Sequence, residues 1–291
     1  MDHACVEISL LINTKMNGSS TGSMKTVRDA FWIWGHDAGC HHNPRFHWNI
    51  PGENKLGPWE GACALGGIPN CCRVVFAGKP EPPFDEETEK LKRFSQVVWS
   101  IVGDSASTRN NDGGDDLAEV LRIAAKYPNV TGGIVDDFFR PKTRDARISP
   151  DDFRQAAERL HNAPRPLKLW LVYYAALFDI DYSAWLDSAD VVTFWNWNSR
   201  ELVHAEENLE RVIALTPSKE HLAGCYLYNY GDSRPLTRAE MEFQLEIYYR
   251  FLKEGRIQGV IACANTVADV DLEAVTVFKN WLREHGDEPL G

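Results

Sequence analysis

Short uncharged runs alternate with longer amphipathic stretches along most of the chain. The runs are rich in β-branched and aromatic residues, which favour strands. Most are continuously apolar, as expected of strands that are covered on both faces of a parallel sheet. They predict eight strands, at residues 30–35, 72–78, 97–103, 130–137, 167–174, 191–197, 222–230 and 259–265.

The segments between these runs have helical patterns. Residues 115–127 place their aliphatic side chains on one stripe. Ser149 and Pro150 suit the N-cap and first position of a helix over residues 149–162. Further helices are predicted at residues 84–96, 202–215, 237–255 and 272–286, with weaker ones within 57–66 and 181–190.

Regular alternation of strands and helices predicts a parallel sheet. Eight such units in about 260 residues match the size of a (βα)8 barrel. An open doubly wound sheet usually has fewer strands, and no GxGxxG turn follows the first strand here. We therefore predict an α/β fold, a single (βα)8 TIM barrel over residues 24–291, with a long loop after strand 1.

The N-terminal segment differs from the rest of the chain. Residues 17–23, NGSSTGS, have the composition of a flexible linker, so we expect residues 1–23 to be a disordered extension outside the fold. The segment lacks the basic start of a secretory signal. Together with an odd number of cysteines, seven, this predicts reduced thiols and a cytoplasmic location, with Cys71 and Cys72 packed in the core.

The charge balance limits the partners of the protein. With 42 acidic and 31 basic residues the net charge is −11, which disfavours nucleic acid and anionic membrane surfaces. No apolar stretch approaches the about 18 residues of a membrane span. We expect a small neutral or cationic ligand and leave the oligomeric state open.

Carboxylates, aromatic rings and amides are concentrated where the predicted strands end. The active site of such a barrel lies at these carboxyl ends. Aromatic faces stack on sugar rings and polar side chains bind sugar hydroxyls, so this mixture predicts a carbohydrate site. The predicted substrate-binding residues are Trp34, His36, Asp37, Trp99, Phe138, Tyr174, Trp195, Asn196, Trp197, Tyr228 and Asn229.

The stretch GIVDDFF puts two aspartates, Asp136 and Asp137, at the end of strand 4. Strand side chains alternate between faces, so we expect one carboxylate to face the barrel axis and the other the helix layer or the rim. A buried carboxylate is costly unless it is paired or hydrogen-bonded, which indicates a functional role for the inward one. Asp104, Asp232 and Glu60 compete for the role of a second catalytic carboxylate, although turn or helix-cap roles would also explain them.

The predicted loop after strand 1, from residue 36 to about residue 57, is longer than most βα loops, and long loops are often functional. His36 lies closest to the strand end. We expect His41, His42 and His47 to be surface residues of the loop. Cys40 and its two histidine neighbours could hold a metal, but without a distant partner the signal is weak.

The pattern over residues 29–286 resembles the (βα)8-barrel glycoside hydrolases and their uncharacterised relatives. Most large families of that class have glutamates at the ends of strands 4 and 7, where this chain has aspartates. The chitinase-like barrels are more similar at strand 4, but their D-x-D-x-E pattern is not completed, because Phe139 and Arg140 stand near the glutamate position.

This resemblance implies a glycoside hydrolase with two carboxyl groups across the scissile bond, one donating a proton and one ionised. No cofactor is then required. One alternative is a metal-dependent sugar isomerase, epimerase or lyase, with a divalent ion on His36, Asp37, Asp136 or Asp137 and Glu60. The other is a carbohydrate-binding barrel without catalysis.

Overall fold

Eight parallel strands close into a barrel in the computed structural model, which describes residues 24–103, 115–140 and 145–291, except for the side chain of Arg140. The first strand pairs with both the second and the last, which completes the closure. The strands are β1 Phe31–Gly35, β2 Asn70–Arg73, β3 Gln96–Ser100, β4 Val130–Val135, β5 Lys168–Tyr174, β6 Val191–Trp195, β7 Glu220–Tyr226 and β8 Gly259–Cys263. The predicted (βα)8 barrel is confirmed.

Helices follow the strands and cover the barrel. In the described ranges they are α1 Pro58–Ala64, α2 Asp85–Leu91, α3 Asp116–Lys126, α4 Pro150–His161, α5 Ser183–Leu186, α6 Ser199–Leu202, α7 Ala205–Leu215, α8 Arg238–Lys253 and α9 Glu273–His285. Ser149 caps α4 as predicted, since its hydroxyl accepts a hydrogen bond from the backbone N–H of Asp152 at 3.1 Å. None of the helices described here is long and apolar enough to cross a membrane.

Several predicted elements have different bounds in the structure, and two of them show why. The second strand is Asn70–Arg73 rather than 72–78, because residues 76–79 form a tight turn in which Gly78 has φ +79°. In place of the predicted helix 202–215, the structure has the two helices α6 and α7. The first begins before residue 202, because the side chain of Asn198 accepts hydrogen bonds from the backbone N–H groups of Arg200 and Glu201 and caps α6. Both differences arise from turn and cap contacts.

Large aromatic side chains fill the barrel interior. Trp32 packs on Trp170 with ring centroids 4.8 Å apart, and Trp34 packs on Trp195 at 5.1 Å. A Cβ atom on Gly224 would lie 2.0 Å from the Trp195 ring, so only glycine leaves room for this indole. Trp34 and Trp195 also lie near the carboxyl ends of their strands and form the base of the site described next.

Candidate active site

A recess with aromatic walls opens at the carboxyl ends of the strands. It has a volume of about 80 Å³, below the roughly 300–1,000 Å³ of sites that enclose a whole ligand. Its described lining comes from β1, from β5 to β8, and from the segments that follow β1, β2, β4, β6 and β7. The lining residues are Trp34, His36, His41, Trp48, Phe76, Asp136, Asp137, Tyr174, Trp195, Trp197, Tyr226, Tyr230 and Cys263.

Both aspartates at the end of β4 line the recess, which differs from the predicted alternation. A Cβ on Gly133 would meet Leu160 of α4 at 3.3 Å, so this position faces the helices and Asp136 is on the inward face. Asp137 would point outward if the strand continued. Its φ of +44° puts the backbone in the left-handed region, which Asp tolerates better than most residues, and its side chain also reaches the recess.

Asp136 is a buried carboxyl in a setting of thiols and phenols, with a relative exposure of 6%. Burial, and next to it the charge of Asp136, holds the pKa of the Cys263 thiol well above its usual value. Burial, the neighbouring Cys71 and then Asp136 do the same for Cys72. The side chain of Asp136, which directly follows β4, therefore extends into the barrel interior toward Cys72 of β2 and Cys263 of β8.

Asp137 accepts a hydrogen bond from the hydroxyl of Tyr174, with 3.0 Å between the two oxygens. Burial raises the pKa of Tyr174 well above its usual value, and the charges of Asp137 and Asp136 raise it further. Burial, with Cys263 and both aspartates, has the same effect on the pKa of Tyr226. Both phenols therefore stay protonated at neutral pH, and Tyr174 serves as a hydrogen-bond donor to Asp137.

The walls around the two carboxyls are aromatic. Trp197 and Tyr230 are nearly parallel, with centroids 6.2 Å apart and planes inclined by 22°. Trp195 and Tyr226 pack on one another at 5.1 Å. No lysine or arginine is among the lining residues that the structure describes. The recess thus offers flat apolar faces and hydrogen-bond donors beside two acids, which is a composition suited to one end of a sugar.

The long loop after β1 covers one side of the recess. It contributes His36, His41 and Trp48 to the lining. The backbone N–H of His36 donates to Oδ1 of Asn265 at 2.7 Å, and Nδ2 of Asn265 donates to the carbonyl of His36 at 3.1 Å. The hydroxyl of Tyr228 holds the loop through the carbonyl of Trp48 at 2.6 Å.

The prediction that His41 is a surface residue is wrong. Its side chain is buried with 5% exposure, and its Nδ1 lies 2.9 Å from the hydroxyl of Tyr230 and 2.8 Å from that of Thr266. Burial, followed by the nearby His42, lowers the pKa of His41 to about 3. Burial, His41 and Arg73 lower the pKa of His36 well below its usual value. Both imidazoles are therefore uncharged at neutral pH.

Three predicted site residues near β1 to β3 lie outside the recess. Asp37 forms an ion pair with the buried Arg73, which also bonds Glu87 at 2.8 Å. Glu60 is exposed on the first turn of α1. Trp99 is on the outward face of β3 and stacks on Phe84 at 4.7 Å, because the neighbouring inward position belongs to Val98.

The remaining predicted residues support the site from outside. Phe138 is buried among rings between the barrel and α4, and Asn196 accepts from Asn208 at 3.0 Å. The side chain of Asn229 donates to Asp232 at 2.9 Å, so this pair holds the turn after β7. Hydrogen bonding by Asn229 lowers the pKa of Asp232. Asp104 lies outside the described residues.

Several lining residues were not predicted. Tyr226 ends β7 and shares the inward face with Gly224, so an earlier end for that strand would have identified it. Cys263 is on the same inward face of β8 as Ile261, which pairs with Trp32. Trp48, Phe76 and Tyr230 come from loops, where side-chain direction does not follow a sequence period. Of the predicted set, Trp34, His36, Asp136, Asp137, Tyr174, Trp195 and Trp197 do line the recess.

No family model matches the chain, and no curated protein matches it in sequence. Solved structures match at the level of the fold and are mostly glycoside hydrolases with (βα)8 barrels, which confirms the resemblance.

Three of them illustrate the match. A β-1,4-mannanase of glycoside hydrolase family 113 has a TM-score of 0.51 and 11% identity, with 89% of this chain and 99% of that chain covered. A domain of a Pyrococcus furiosus chitinase complexed with chito-oligosaccharides has a TM-score of 0.53 and 14% identity, with 90% of this chain and 98% of that chain covered. A Blastomyces gilchristii exo-β-1,3-glucanase of glycoside hydrolase family 128, complexed with glucose, has a TM-score of 0.50 and 12% identity, with 87% of this chain and 99% of that chain covered. At these identities the likeness shows the fold alone.

Proposed function

We propose that the protein is a glycoside hydrolase in which Asp136 and Asp137 are the two catalytic carboxyl groups. One observation carries this proposal: both side chains reach a single recess with aromatic walls at the catalytic end of the barrel. The left-handed backbone at Asp137 makes this possible, because two adjacent strand residues would otherwise face opposite ways. The barrel glycoside hydrolases among the similar structures support the same reaction class.

The surroundings of the two carboxyls suggest different roles. Asp136 is buried beside the Cys263 thiol on the inward face of the barrel, and we assign to it the role of the group that donates a proton to the leaving oxygen. The Tyr174 hydrogen bond holds Asp137 in place, and we assign to Asp137 the role of the group that attacks the sugar or activates water. The pair therefore has the unequal environments that acid–base hydrolysis of a glycoside requires.

The small volume of the recess limits how a substrate binds. About 80 Å³ accommodates part of one sugar ring and leaves the rest of a glycoside above the rim. The Trp197 and Tyr230 rings form a flat wall for the apolar face of that ring. We propose a small glycoside or the end of a chain as the substrate.

The test is hydrolysis of a panel of aryl glycosides and oligosaccharides by the parent protein and by Asp136→Asn and Asp137→Asn. Asparagine keeps the shape and tolerates the left-handed backbone, so we expect folded variants with turnover reduced about 10²–10⁴-fold. If Asp136 is the acid, its variant should lose least on substrates whose leaving group departs without a proton.

Asp232→Asn is the matched control, because this carboxylate holds a turn outside the recess, and its activity should remain within twofold of the parent. Equal turnover in the parent and both recess variants would contradict the proposal. Sugar binding by calorimetry with the whole panel left intact would contradict it too, and would indicate a binding barrel. Asp37 and Glu60 of the alternative metal set are not among the lining residues of the recess, which favours the glycoside hydrolase over that alternative.

A further inference from the structure

One cluster of metal-binding side chains lies beside the two aspartates and has no part in the proposed hydrolysis. His36, Cys40 and His41 each offer one ligand atom, and the three atoms lie within 4.8 Å of one another. His36 directly follows β1, while the other two belong to the short 3-10 turn Cys40–His42 of the long loop. The grouping depends on the folded loop and is not a simple sequence repeat.

The orientation of His36 provides a second, independent observation. His36 is buried, with a relative exposure of 2%. Its Nδ1 atom has no hydrogen-bond partner among the residues that the structure describes. An unsatisfied buried ring nitrogen costs about 1–3 kcal/mol. A metal ion bound to this nitrogen would remove that cost.

His41 has the contacts of an oriented metal ligand. Its Nδ1 lies within 3 Å of the hydroxyl oxygens of Tyr230 and Thr266, so it can donate its N–H to one of them. That arrangement leaves Nε2 unprotonated and fixes the ring plane. Metal-binding histidines usually donate the other ring N–H to an oxygen in this way.

We propose that His36, Cys40 and His41 bind one zinc ion. One thiolate and two imidazoles form a ligand set that binds zinc in preference to the hard cations calcium and magnesium. With Zn–N bonds of about 2.1 Å and a Zn–S bond of about 2.3 Å, the ligand atoms of one tetrahedral zinc are about 3.3–3.8 Å apart. Side-chain rotations that move these atoms by about 1 Å would therefore complete the site.

Three protein ligands leave a fourth position of the zinc open. His36 and His41 line the recess, so this position faces the bound ligand or a water molecule. The ion would also join the end of β1 to the loop that covers the recess. The proposal does not depend on glycoside hydrolysis, because zinc binding can be measured without any substrate.

The experiment uses the full chain after chelation. We expect one equivalent of Co²⁺ to give the thiolate charge-transfer band and the strong visible bands of a tetrahedral site. Zinc should displace it stoichiometrically and raise the melting midpoint. Cys40→Ser should abolish the thiolate band. His36→Ala and His41→Ala should weaken zinc binding beyond the roughly 10–100-fold that loss of an outer-shell partner costs.

Cys63→Ser and His47→Ala are matched controls, since Cys63 is in α1 and His47 is exposed on the same loop. Both should bind zinc like the parent. Failure of the parent to bind one equivalent, or an unchanged band in Cys40→Ser, would overturn the proposal. Circular dichroism verifies the fold, and His41→Gln replaces His41→Ala if the latter does not fold.

Discussion

The hydroxyl of Tyr174, at the end of β5, donates a hydrogen bond to Oδ1 of Asp137 across 3.0 Å. This contact fixes the carboxylate of Asp137, whose left-handed backbone conformation directs the side chain into the recess. Because the phenol stays protonated at neutral pH, the donor is present throughout the range in which a glycosidase works. Tyr174 is therefore a positioning residue for the proposed base or nucleophile.

Removal of this hydroxyl should affect turnover more than binding. We expect Tyr174→Phe to lower kcat about tenfold, the effect of about 1.4 kcal/mol, and to leave KM within threefold. Steady-state kinetics on the best substrate of the panel provide the measurement. Unchanged kcat with raised KM would mean that Tyr174 contacts the substrate and does not position Asp137.

The fit of Trp195 against Gly224 predicts a packing defect. In Gly224→Ala the new methyl group would lie 2.0 Å from the indole, so the ring must move toward the recess. We expect a loss of unfolding free energy of about 1–3 kcal/mol and a changed tryptophan fluorescence. An unchanged stability in chemical denaturation would show that the barrel interior has more room than described.

The ion pair of Asp37 with Arg73 predicts a structural rather than catalytic effect. Arg73 is fully buried and keeps its bonds to Glu87 and to backbone carbonyls when Asp37 is neutralised. We expect Asp37→Asn to cost about 1–3 kcal/mol of stability and to leave activity within twofold. Loss of activity in a stable, folded Asp37→Asn protein would return this residue to the active site.

Glu240 of α8 gives a prediction for pH. Its hydrogen bond with Arg234, then that with the backbone of Thr237, lowers the pKa of Glu240 from 4.5 to about 2. A carboxyl whose pKa is lower in the folded state stabilises it above the unfolded pKa, and this contribution disappears as the pH falls from about 4.5 to about 2.

We expect Glu240→Gln to unfold with about 1–2 kcal/mol less free energy than the parent at pH 7, after allowance for partial solvent exposure. The difference should shrink steadily below pH 4.5. Glu242→Gln, which removes an exposed partner of Arg238, serves as the control and should change stability by less than about 0.5 kcal/mol. A gap between Glu240→Gln and the parent that persists unchanged to pH 3 would contradict the assignment.

The barrel could be predicted from the sequence because each strand is a continuous apolar run between helical patterns. The eight strands and the cap at Ser149 depend on local periods and short-range hydrogen bonds. The bounds of β2 were less predictable, since the turn at residues 76–79 depends on a left-handed Gly78.

The direction of a site side chain was predictable only where the strand period continued to the strand end. Trp34, Trp195 and Tyr174 are inward residues of regular strands, and all three line the recess. Asp137 departs from the period through one dihedral angle, and His41 becomes buried through contacts with Tyr230 and Thr266, which are about 190 and 225 positions away in the chain. Neither effect leaves a signal in the neighbouring sequence.

The contacts of Asn265 affect the order in which the site assembles during protein synthesis. It follows the last strand, yet its side chain binds the backbone of His36 and the carbonyl of Leu56 at 2.8 Å, and so spans more than 200 residues of chain. During synthesis the first loop therefore emerges long before the residue that anchors it. The recess is completed only after Asn265 has been synthesised and β8 has paired with β1, so this site assembles later than the strands that precede β8.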